Sequence, residues 1–288
     1  MKHVSILIPT YNDPCVTLVT TLQQQAQAAG ATYEIIVGDD GSTRADVLQQ
    51  NRAVNELPNC RMTERETNAG RAAIRNFLAR QARYEWLLFI DSDMVVCRAD
   101  FLNKYLQTSE NEMVVDGGVV IRNTIKGNLR SLYEKAAEPH HTAQCRQLTP
   151  YQHLHTANLF IRRDIFLNNP FDERFRHYGY EDVLLGKQLQ AAGVPVSHID
   201  NPMSFEVFET NLQFVQKTEE GLRTLHQFQA ELQGYSSLLS LANRLRHLAP
   251  LVRLWHRLNN RWERRQLTGS HPSLTVFNLY RLGYFMTL

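Results

Sequence analysis

The chain has 288 residues, of which 43 % are hydrophobic and 21 % are charged. This composition is ordinary for a globular protein, and it excludes collagen, wholesale disorder and a small disulfide-stapled fold. Lysine and arginine total 31 and aspartate and glutamate 29, so the net charge of +2 gives no general attraction to nucleic acid. The four cysteines form no CxxC pair, which argues against a zinc site and favours a reducing cytoplasm. Neither a signal peptide nor a membrane-spanning run is expected.

The first hundred residues alternate between strand-like and helix-like segments. Apolar runs predict strands over 4–9, 34–37, 61–64 and 85–90, and apolar stripes predict helices over 16–29, 44–54 and 71–82. This repetition predicts an α/β fold with a mostly parallel sheet and helices on both faces. Ligands of such sheets bind beyond the carboxyl ends of the strands, so the residues at those ends are functional candidates.

Polar residues follow three of the predicted strands. They are Pro9-Thr10-Tyr11-Asn12, Asp39-Asp40-Gly41-Ser42 and Asp91-Ser92-Asp93. The second motif also fits ordinary turn chemistry, and Asp91 or Ser92 equally fits a helix N-cap. However, two close carboxylates at a core edge repel each other, and a bound Mg²⁺ or Mn²⁺ that also holds substrate phosphates removes that repulsion.

A further acidic pair, Glu181 and Asp182, precedes a predicted helix over 183–192. Negative charge at a helix N-terminus complements the helix dipole, but a carboxylate there could equally act as a general base toward a hydroxyl. The segment 123–152, rich in histidine and polar residues, predicts a mobile loop. The sequence contains neither GxGxxG nor GxxxxGK[ST], which removes the main sequence support for a dehydrogenase or a P-loop enzyme.

Together these motifs resemble the inverting family-2 glycosyltransferases of GT-A fold, over roughly residues 2–225. Further motifs that carry the resemblance are Asn68-Ala69-Gly70-Arg71, Arg75-Asn76, residues 156–163, residues 171–175 and Gly179-Tyr180-Glu181-Asp182. The Glu-Asp motif with its helix also resembles that of β-1,4-galactosyltransferases and chondroitin polymerases. The resemblance implies a nucleotide-sugar-binding half over 1–115 and an acceptor-binding half over 116–233, and the change in charge near Gly234 sets apart a basic helical tail over 234–288.

The resemblance also implies roles for individual residues. The nucleotide would contact Pro9, Thr10, Tyr11, Asn12, Asp39, Asp40, Arg71 and Asp91. Asp93, with Asp91, would hold Mn²⁺ or Mg²⁺; Asp182 would be the base, with Glu181 toward the acceptor; Thr156 and Asn158 would line the acceptor side. Glu206 stands where such relatives often have a histidine ligand, so it is either a harder third ligand or a sign that no third ligand exists.

The implied reaction transfers a sugar from a nucleotide sugar to a hydroxyl of a glycan or a lipid-linked acceptor, with inversion, in surface polysaccharide synthesis. An aspartate of the Asp39-Asp40 pair could accept a hydrogen bond from the imide N–H of uracil, which favours a UDP-sugar as the donor. Two alternatives stay open, which are a non-catalytic nucleotide- or carbohydrate-binding relative and a nucleotidyltransferase.

The residues from Tyr235 to Leu288 differ in charge from the rest, with eight arginines, no lysine and one acid, Glu263. Apolar residues at 241, 245, 248, 252, 255 and 262 give an amphipathic pattern, and Pro250 is expected to start or kink a helix. The stripe either packs against the rest of the chain or lies on an anionic membrane. The expected location is the cytoplasm, with a peripheral position on the inner face of the plasma membrane under the second alternative; the oligomeric state stays open.

Overall fold

The computed structural model describes residues 2–288. Its strands are β1 (Val4–Thr10), β2 (Tyr33–Asp39), β3 (Cys60–Glu64), β4 (Trp86–Ile90), β5 (Met94–Val96), β6 (Val114–Asp116), β7 (Val119–Val120), β8 (Asn158–Arg162), β9 (Val196–His198) and β10 (Met203–Phe205). Its α-helices are α1 (Val16–Ala28), α2 (Ala45–Asn51), α3 (Arg71–Gln81), α4 (Phe101–Leu106), α5 (Leu129–Ala137), α6 (Ala143–Leu148), α7 (Arg163–Asn168), α8 (Glu181–Ala191), α9 (Asn211–Gln227), α10 (Ser237–Arg244), α11 (Ala249–Thr268) and α12 (Leu274–Thr287).

The main sheet has seven strands in the order β3-β2-β1-β4-β8-β6-β9. The four strands predicted from apolar runs, β1 to β4, pair in parallel, whereas β8 runs antiparallel to both of its neighbours. Helices α1 and α4 pack on one face of the sheet, and α3, α7 and α8 pack on the other. The strands β1, β2 and β4 contribute apolar side chains to the core on both faces. The predicted α/β GT-A-like architecture, mostly parallel and covered on both faces, is confirmed.

The crossover order places the carboxyl ends of β1, β2 and β4 side by side. A small mixed sheet, β5-β10-β7, lies just beyond β4 and extends this edge. The three polar motifs at the strand ends therefore meet at one edge of the sheet, as expected for this fold.

The prediction of a mobile loop over 123–152 is wrong, because α5 and α6 lie within it. Each helix is started by a side-chain cap. Asn128 accepts a hydrogen bond from the backbone N–H of Ser131 at 2.8 Å, and Thr142 accepts one from that of Cys145 at 3.2 Å. Such caps stabilise short helices whose apolar pattern is weak.

The C-terminal helices α10 to α12 share an apolar cluster with α8 and α9. Pro250 lies in the first turn of α11, as predicted, where its missing N–H is harmless. The predicted apolar stripe divides in two: Leu245 and Val252 pack against this cluster, whereas Leu248, Trp255 and Trp262 are 50–55 % exposed. No helix within residues 2–288 is both long and apolar enough to cross a membrane.

Candidate functional site

A cleft of about 390 Å³ lies beyond the ends of β1, β2 and β4, and we call it the strand-end cleft. The predicted residues that line it are Pro9, Thr10, Tyr11, Asp40, Arg71, Asp91 and Asp93. Asp13, Arg75, Arg176, His177 and Tyr178 complete much of its wall. The cleft is therefore rich in charged groups of both signs, as a site for a charged ligand requires.

Asp39 and Asp40 shape the loop after β2 in different ways. Asp39 accepts hydrogen bonds from both the backbone N–H of Ser42, at 2.8 Å, and the Ser42 hydroxyl. Asp40 accepts from the backbone N–H of Gly70 at 2.9 Å and forms an ion pair with Arg65 at 3.4 Å. Asp40 lines the cleft whereas Asp39 does not, so Asp39 shapes the turn in this structure and its nucleotide contact stays a prediction.

Asn12, which is also expected to bind the nucleotide, makes its hydrogen bonds with the loop after β2. Its backbone is left-handed (φ 56°), and its Oδ1 accepts hydrogen bonds from the backbone N–H groups of Thr43 and Arg44 at 2.9 and 2.8 Å. Asn12 does not line the strand-end cleft. It ties the loop after β1 to the loop after β2, and so holds Thr10 and Tyr11 at the wall.

The Asp91-Ser92-Asp93 motif carries two carboxylates in contrasting settings. Asp91 is paired with the buried Arg75. Burial would raise the pKa of Asp91, but the guanidinium groups of Arg75 and Arg71 hold it below its usual value. Asp93 faces the cleft, and burial together with the charge of Asp91 raises the pKa of its carboxyl. Arg130 and Lys217 offset this rise only in part, and within residues 2–288 no cation forms an ion pair with Asp93.

Asp13 was missed at the sequence level and adds a third carboxylate to this edge. Its Oδ2 is buried without a hydrogen-bond partner, and it lines the cleft with Ser92 and Asp93. Burial and the charge of Asp91 raise the pKa of Asp13, against the effect of a hydrogen bond with Ser92. An orphaned buried oxygen beside Asp93 fits a hard divalent cation or a ligand hydroxyl.

Within residues 2–288, no three or more His, Cys, Asp or Glu side chains form a ready-made metal site. This fits an ion held by one or two carboxylates and completed by substrate phosphates and water, the usual manner of Mg²⁺ in nucleotide enzymes. Glu206 does not contribute to it in this structure, because its side chain is exposed and does not line the clefts around Asp93. In this structure Glu206 therefore lies apart from the carboxylates of the strand-end cleft, and its part in metal binding stays a prediction.

A second cleft of about 220 Å³, the helix-side cleft, opens beside the first and shares Arg71, Asp91, Asp93 and Tyr178 with it. Glu181 and Asp182, in the first turn of α8, both line it. Tyr180 precedes them with a left-handed backbone (φ 71°), which turns the chain sharply into the helix. The two acids are therefore presented to the helix-side cleft.

These two acids have different partners. Glu181 lies 3.4 Å from Arg71 and 3.4 Å from Arg75, and it is nearly fully buried. Asp182 accepts a hydrogen bond from the backbone N–H of Val183 at 2.8 Å. Burial and the charge of Glu181 raise the pKa of Asp182 to about 6. Asp182 is thus suited to accept a proton near neutral pH, whereas Glu181 holds the arginines in place.

Two cationic residues and a histidine that the sequence did not single out, Arg130, Lys217 and His155, also line the helix-side cleft. Arg130 and Lys217 approach Glu209 at 2.5 and 3.3 Å, and Lys217 and Arg71 lie 4.6 and 4.9 Å from the ring centre of Tyr178. They come from α5, α9 and α3, far apart in sequence. Only the fold brings them together beside Asp93.

His155 lies against a buried carboxylate. The backbone N–H of His155 donates to Asp116 at 2.5 Å, and its Nδ1 lies 3.3 Å from the same oxygen. Burial would lower the pKa of His155, but Asp116 raises it above the usual value. His155 lines the helix-side cleft together with Asp182, and it lowers the pKa of that carboxyl against the larger effect of burial.

The two residues expected on the acceptor side separate. Thr156 lines the helix-side cleft. Asn158 is fully buried on β8, where its side chain bonds the Tyr105 hydroxyl at 2.7 Å and the carbonyl groups of Gly118 and Asn201 at 2.8 and 2.9 Å. Asn158 therefore links the two sheets, and the expectation that it contacts the acceptor is corrected.

Known proteins share this architecture. The chain is 24 % identical over 237 residues to a chondroitin synthase of Escherichia coli and 25 % identical over 237 residues to one of Pasteurella multocida. Each match covers 70 % of this chain, but the chain spans only 34 % and 24 % of the two relatives. Among solved structures, the mannosyltransferase PcManGT of Pyrobaculum calidifontis, in complex with GDP-Man and Mn²⁺, aligns with a TM-score of 0.59 at 14 % identity. That alignment covers 98 % of this chain and 86 % of PcManGT.

The glucosyl-3-phosphoglycerate synthase of Mycobacterium tuberculosis, with Mn²⁺, UDP and phosphoglyceric acid, aligns with a TM-score of 0.54 at 17 % identity. This alignment covers 82 % of this chain and 80 % of the synthase. At these identities the two structures show a common fold. The model of Glycosyl transferase family 2 matches residues 5–168, which include β1 to β4 and the three strand-end motifs. The chain therefore belongs to Glycosyl transferase family 2.

Proposed function

We propose that this protein is a metal-dependent, inverting glycosyltransferase that moves a sugar from a UDP-sugar to a hydroxyl of a glycan or lipid-linked acceptor. One observation carries the proposal. The helix-side cleft, which holds Asp182, shares Arg71, Asp91 and Asp93 with the strand-end cleft. A nucleotide sugar bound across the strand ends would thus present its sugar to a carboxylate able to take a proton.

In the strand-end cleft, Asp40 and the wall from Pro9 to Tyr11 would hold the nucleoside. Arg71, at the first turn of α3, would approach the diphosphate, because a helix N-terminus favours anions. Asp93, with Asp91 and Asp13 close by, would hold Mn²⁺ or Mg²⁺. A bound ion of this kind would neutralise the diphosphate leaving group.

Asp182 accepts the proton of the acceptor hydroxyl. The acceptor oxygen then bonds to the anomeric carbon on the face opposite the diphosphate, and the bond from that carbon to the diphosphate oxygen breaks. The product therefore has the inverted configuration. Glu181 fixes Arg71 and Arg75, and Arg130 and Lys217 add positive charge where the diphosphate becomes a free anion.

The relatives support the class of reaction, and they leave the nucleotide to be tested. Their names include chondroitin synthases and a poly(ribitol-phosphate) N-acetylglucosaminyltransferase of Staphylococcus aureus, which supports a role in polysaccharide synthesis. The two neighbouring structures carry GDP-Man in one case and UDP in the other, both with Mn²⁺. A lipid-linked acceptor would place this enzyme at the cytoplasmic face of a membrane.

Thermal unfolding with UDP, GDP, ADP or CMP, each with and without Mn²⁺, tests the donor site. A nucleotide at 100 times its Kd adds about 2.7 kcal/mol, which raises the Tm by several degrees. We expect this shift with UDP and Mn²⁺ together. It should vanish in Asp93→Ala and persist in Asp164→Ala, a control that removes an exposed aspartate on α7.

The remaining outcomes separate the alternatives. A shift with GDP alone would overturn the uridine assignment and leave the family unchanged. No shift with any nucleotide would overturn the donor site and favour a carbohydrate-binding relative. Release of UDP from a UDP-sugar supports glycosyl transfer, whereas release of pyrophosphate from UTP would identify a nucleotidyltransferase.

A further inference from the structure

Helix α11 has one covered face and, opposite it, an apolar face that is exposed. His256, Glu263 and Leu267 are buried where α11 packs against α9 and α12. The opposite face, which we call the open stripe, consists of Leu251, Leu254, Trp255, Leu258 and Trp262, which are exposed to 66, 55, 52, 75 and 55 %. At 3.6 residues per turn, these five side chains fall within an arc of about 100° along about three turns. Five large apolar residues in one row exceed the scattered exposure of an ordinary surface.

The exposed charged residues of α11 are all arginines. Arg257, Arg261 and Arg265 are exposed and follow one edge of the stripe at intervals of four residues. None of them forms an ion pair with a carboxylate within residues 2–288. The one acid of α11, Glu263, is buried and bonded to His256 at 2.8 Å. A partner for this surface must therefore be apolar at its centre and negative at its edge.

An anionic lipid surface meets both requirements. Helices that lie in a membrane interface bear leucine and tryptophan on one face and basic residues beside it, which reach the lipid phosphates. A second copy of this chain fits less well. Packing stripe on stripe about a two-fold axis would bring two rows of arginine together without any acid between them.

We propose that α11 docks the protein on an anionic lipid surface, with the open stripe in the headgroup boundary and Arg257, Arg261 and Arg265 at the lipid phosphates. The inference deepens the membrane location in the proposed function by naming the face and the lipid chemistry. The stripe does not line either cleft. Vesicle binding can therefore be measured without donor or acceptor, and its failure would leave the proposed reaction intact.

Flotation of the full chain with vesicles tests whether the three arginines bind anionic lipid. We expect binding to vesicles that contain about one third phosphatidylglycerol and little binding to phosphatidylcholine alone. Each basic residue near an anionic surface adds to the free energy of membrane binding. The triple variant Arg257→Gln, Arg261→Gln, Arg265→Gln should therefore bind about a hundredfold more weakly. The matched control is Arg80→Gln, Arg98→Gln, Arg162→Gln, which removes three arginines elsewhere whose side chains are 39–58 % exposed and should bind like the parent.

Tryptophan emission tests the stripe. The chain has three tryptophans, and Trp86 is buried in the core, so a blue shift on anionic vesicles would come from Trp255 and Trp262. Leu254→Ser with Leu258→Ser should reduce this shift, whereas Leu148→Ser, at an 83 % exposed leucine on α6, should not. Equal binding of both triple variants, or no blue shift, would overturn the proposal. A dimer that Leu254→Ser with Leu258→Ser dissociates would also overturn it, in favour of a protein interface.

Discussion

At the scale of single residues, the two adjacent acids of α8 show how position divides chemical roles. Glu181 is neutralised by two arginines, whereas burial and the nearby charge of Glu181 raise the pKa of Asp182 to about 6. A base is most effective when its pKa lies near the working pH, because it is then both ionised and able to hold a proton. The pair therefore supplies one positioning carboxylate and one reactive carboxylate.

This difference predicts the pH dependence of the reaction. Asp182 must be ionised to act as a base, so kcat/KM should fall as the pH falls through about 6, by tenfold per pH unit below that value. Asp182→Asn should lower the rate about 10²- to 10⁴-fold and abolish this fall, the acidic limb of the pH profile. The Tm shift with nucleotide should be kept. The measurement is kcat/KM between pH 4.5 and 8, with nucleotide binding followed at each pH because the pKa of Asp93 is also raised. An unchanged limb in the Asp182→Asn variant would exclude Asp182 as the base.

The sequence predicted those site residues that lie in short motifs next to strands or helices. Asp40, Asp91, Asp93, Arg71 and Asp182 line the two clefts as expected. Arg130 and Lys217 could not be predicted, because no local pattern marks them and α5 and α9 bring them to the cleft. Asn158 was misassigned because its motif borders the site, while its side chain points into the junction of the two sheets.

At the scale of elements, the start of α3 sets the position of Arg71. Gly70 has φ +92°, and a Cβ atom on it would lie 2.8 Å from the carbonyl oxygen of Arg176. Its N–H also bonds Asp40. Only glycine permits this close crossing of two backbones, which joins the loop after β2, the helix α3 and the segment before α8.

We therefore predict that Gly70→Ala destabilises the protein and weakens nucleotide binding. The matched control is Gly193→Ala, which has φ +67° but no atom within 4 Å of the added Cβ. The control should lose about 1–2 kcal/mol of unfolding free energy from the left-handed backbone alone, and Gly70→Ala should lose distinctly more. Urea unfolding measures the difference. Equal losses would mean that the Arg176 backbone moves aside freely.

The elements up to residue 90 were predicted within a few residues, since buried parallel strands have continuous apolar runs. The antiparallel insertion of β8 was not predicted, because strand order depends on contacts across the whole chain. Helices α5 and α6 were missed because their caps, Asn128 and Thr142, are also common loop residues.

At the scale of the whole molecule, the basic C-terminal helices are part of the core. Leu238, Leu239, Leu282, Phe285 and Met286 are buried in one cluster with residues of α8 and α9. Burying five such side chains contributes about 7–15 kcal/mol, which is as large as the total stability of a typical domain. The boundary at residue 234 thus stays a prediction about charge and sequence, while the packing is continuous across it.

This continuity predicts that the helices cannot be removed without loss of the fold around Asp182, which lies in the first turn of α8. A chain that ends at residue 233 would expose the side of α8 and α9 that these helices cover, and we expect it to aggregate or to lose cooperative unfolding. The point variant Leu282→Ala, at a buried position of α12, should cost about 2–5 kcal/mol. Leu279→Ala, on the same helix but 48 % exposed, should stay within about 0.5 kcal/mol of the parent. Urea unfolding of the two variants measures the difference. If the shortened chain unfolds with the midpoint of the full chain, then the helices are an independent appendage and α8 is held by the sheet alone.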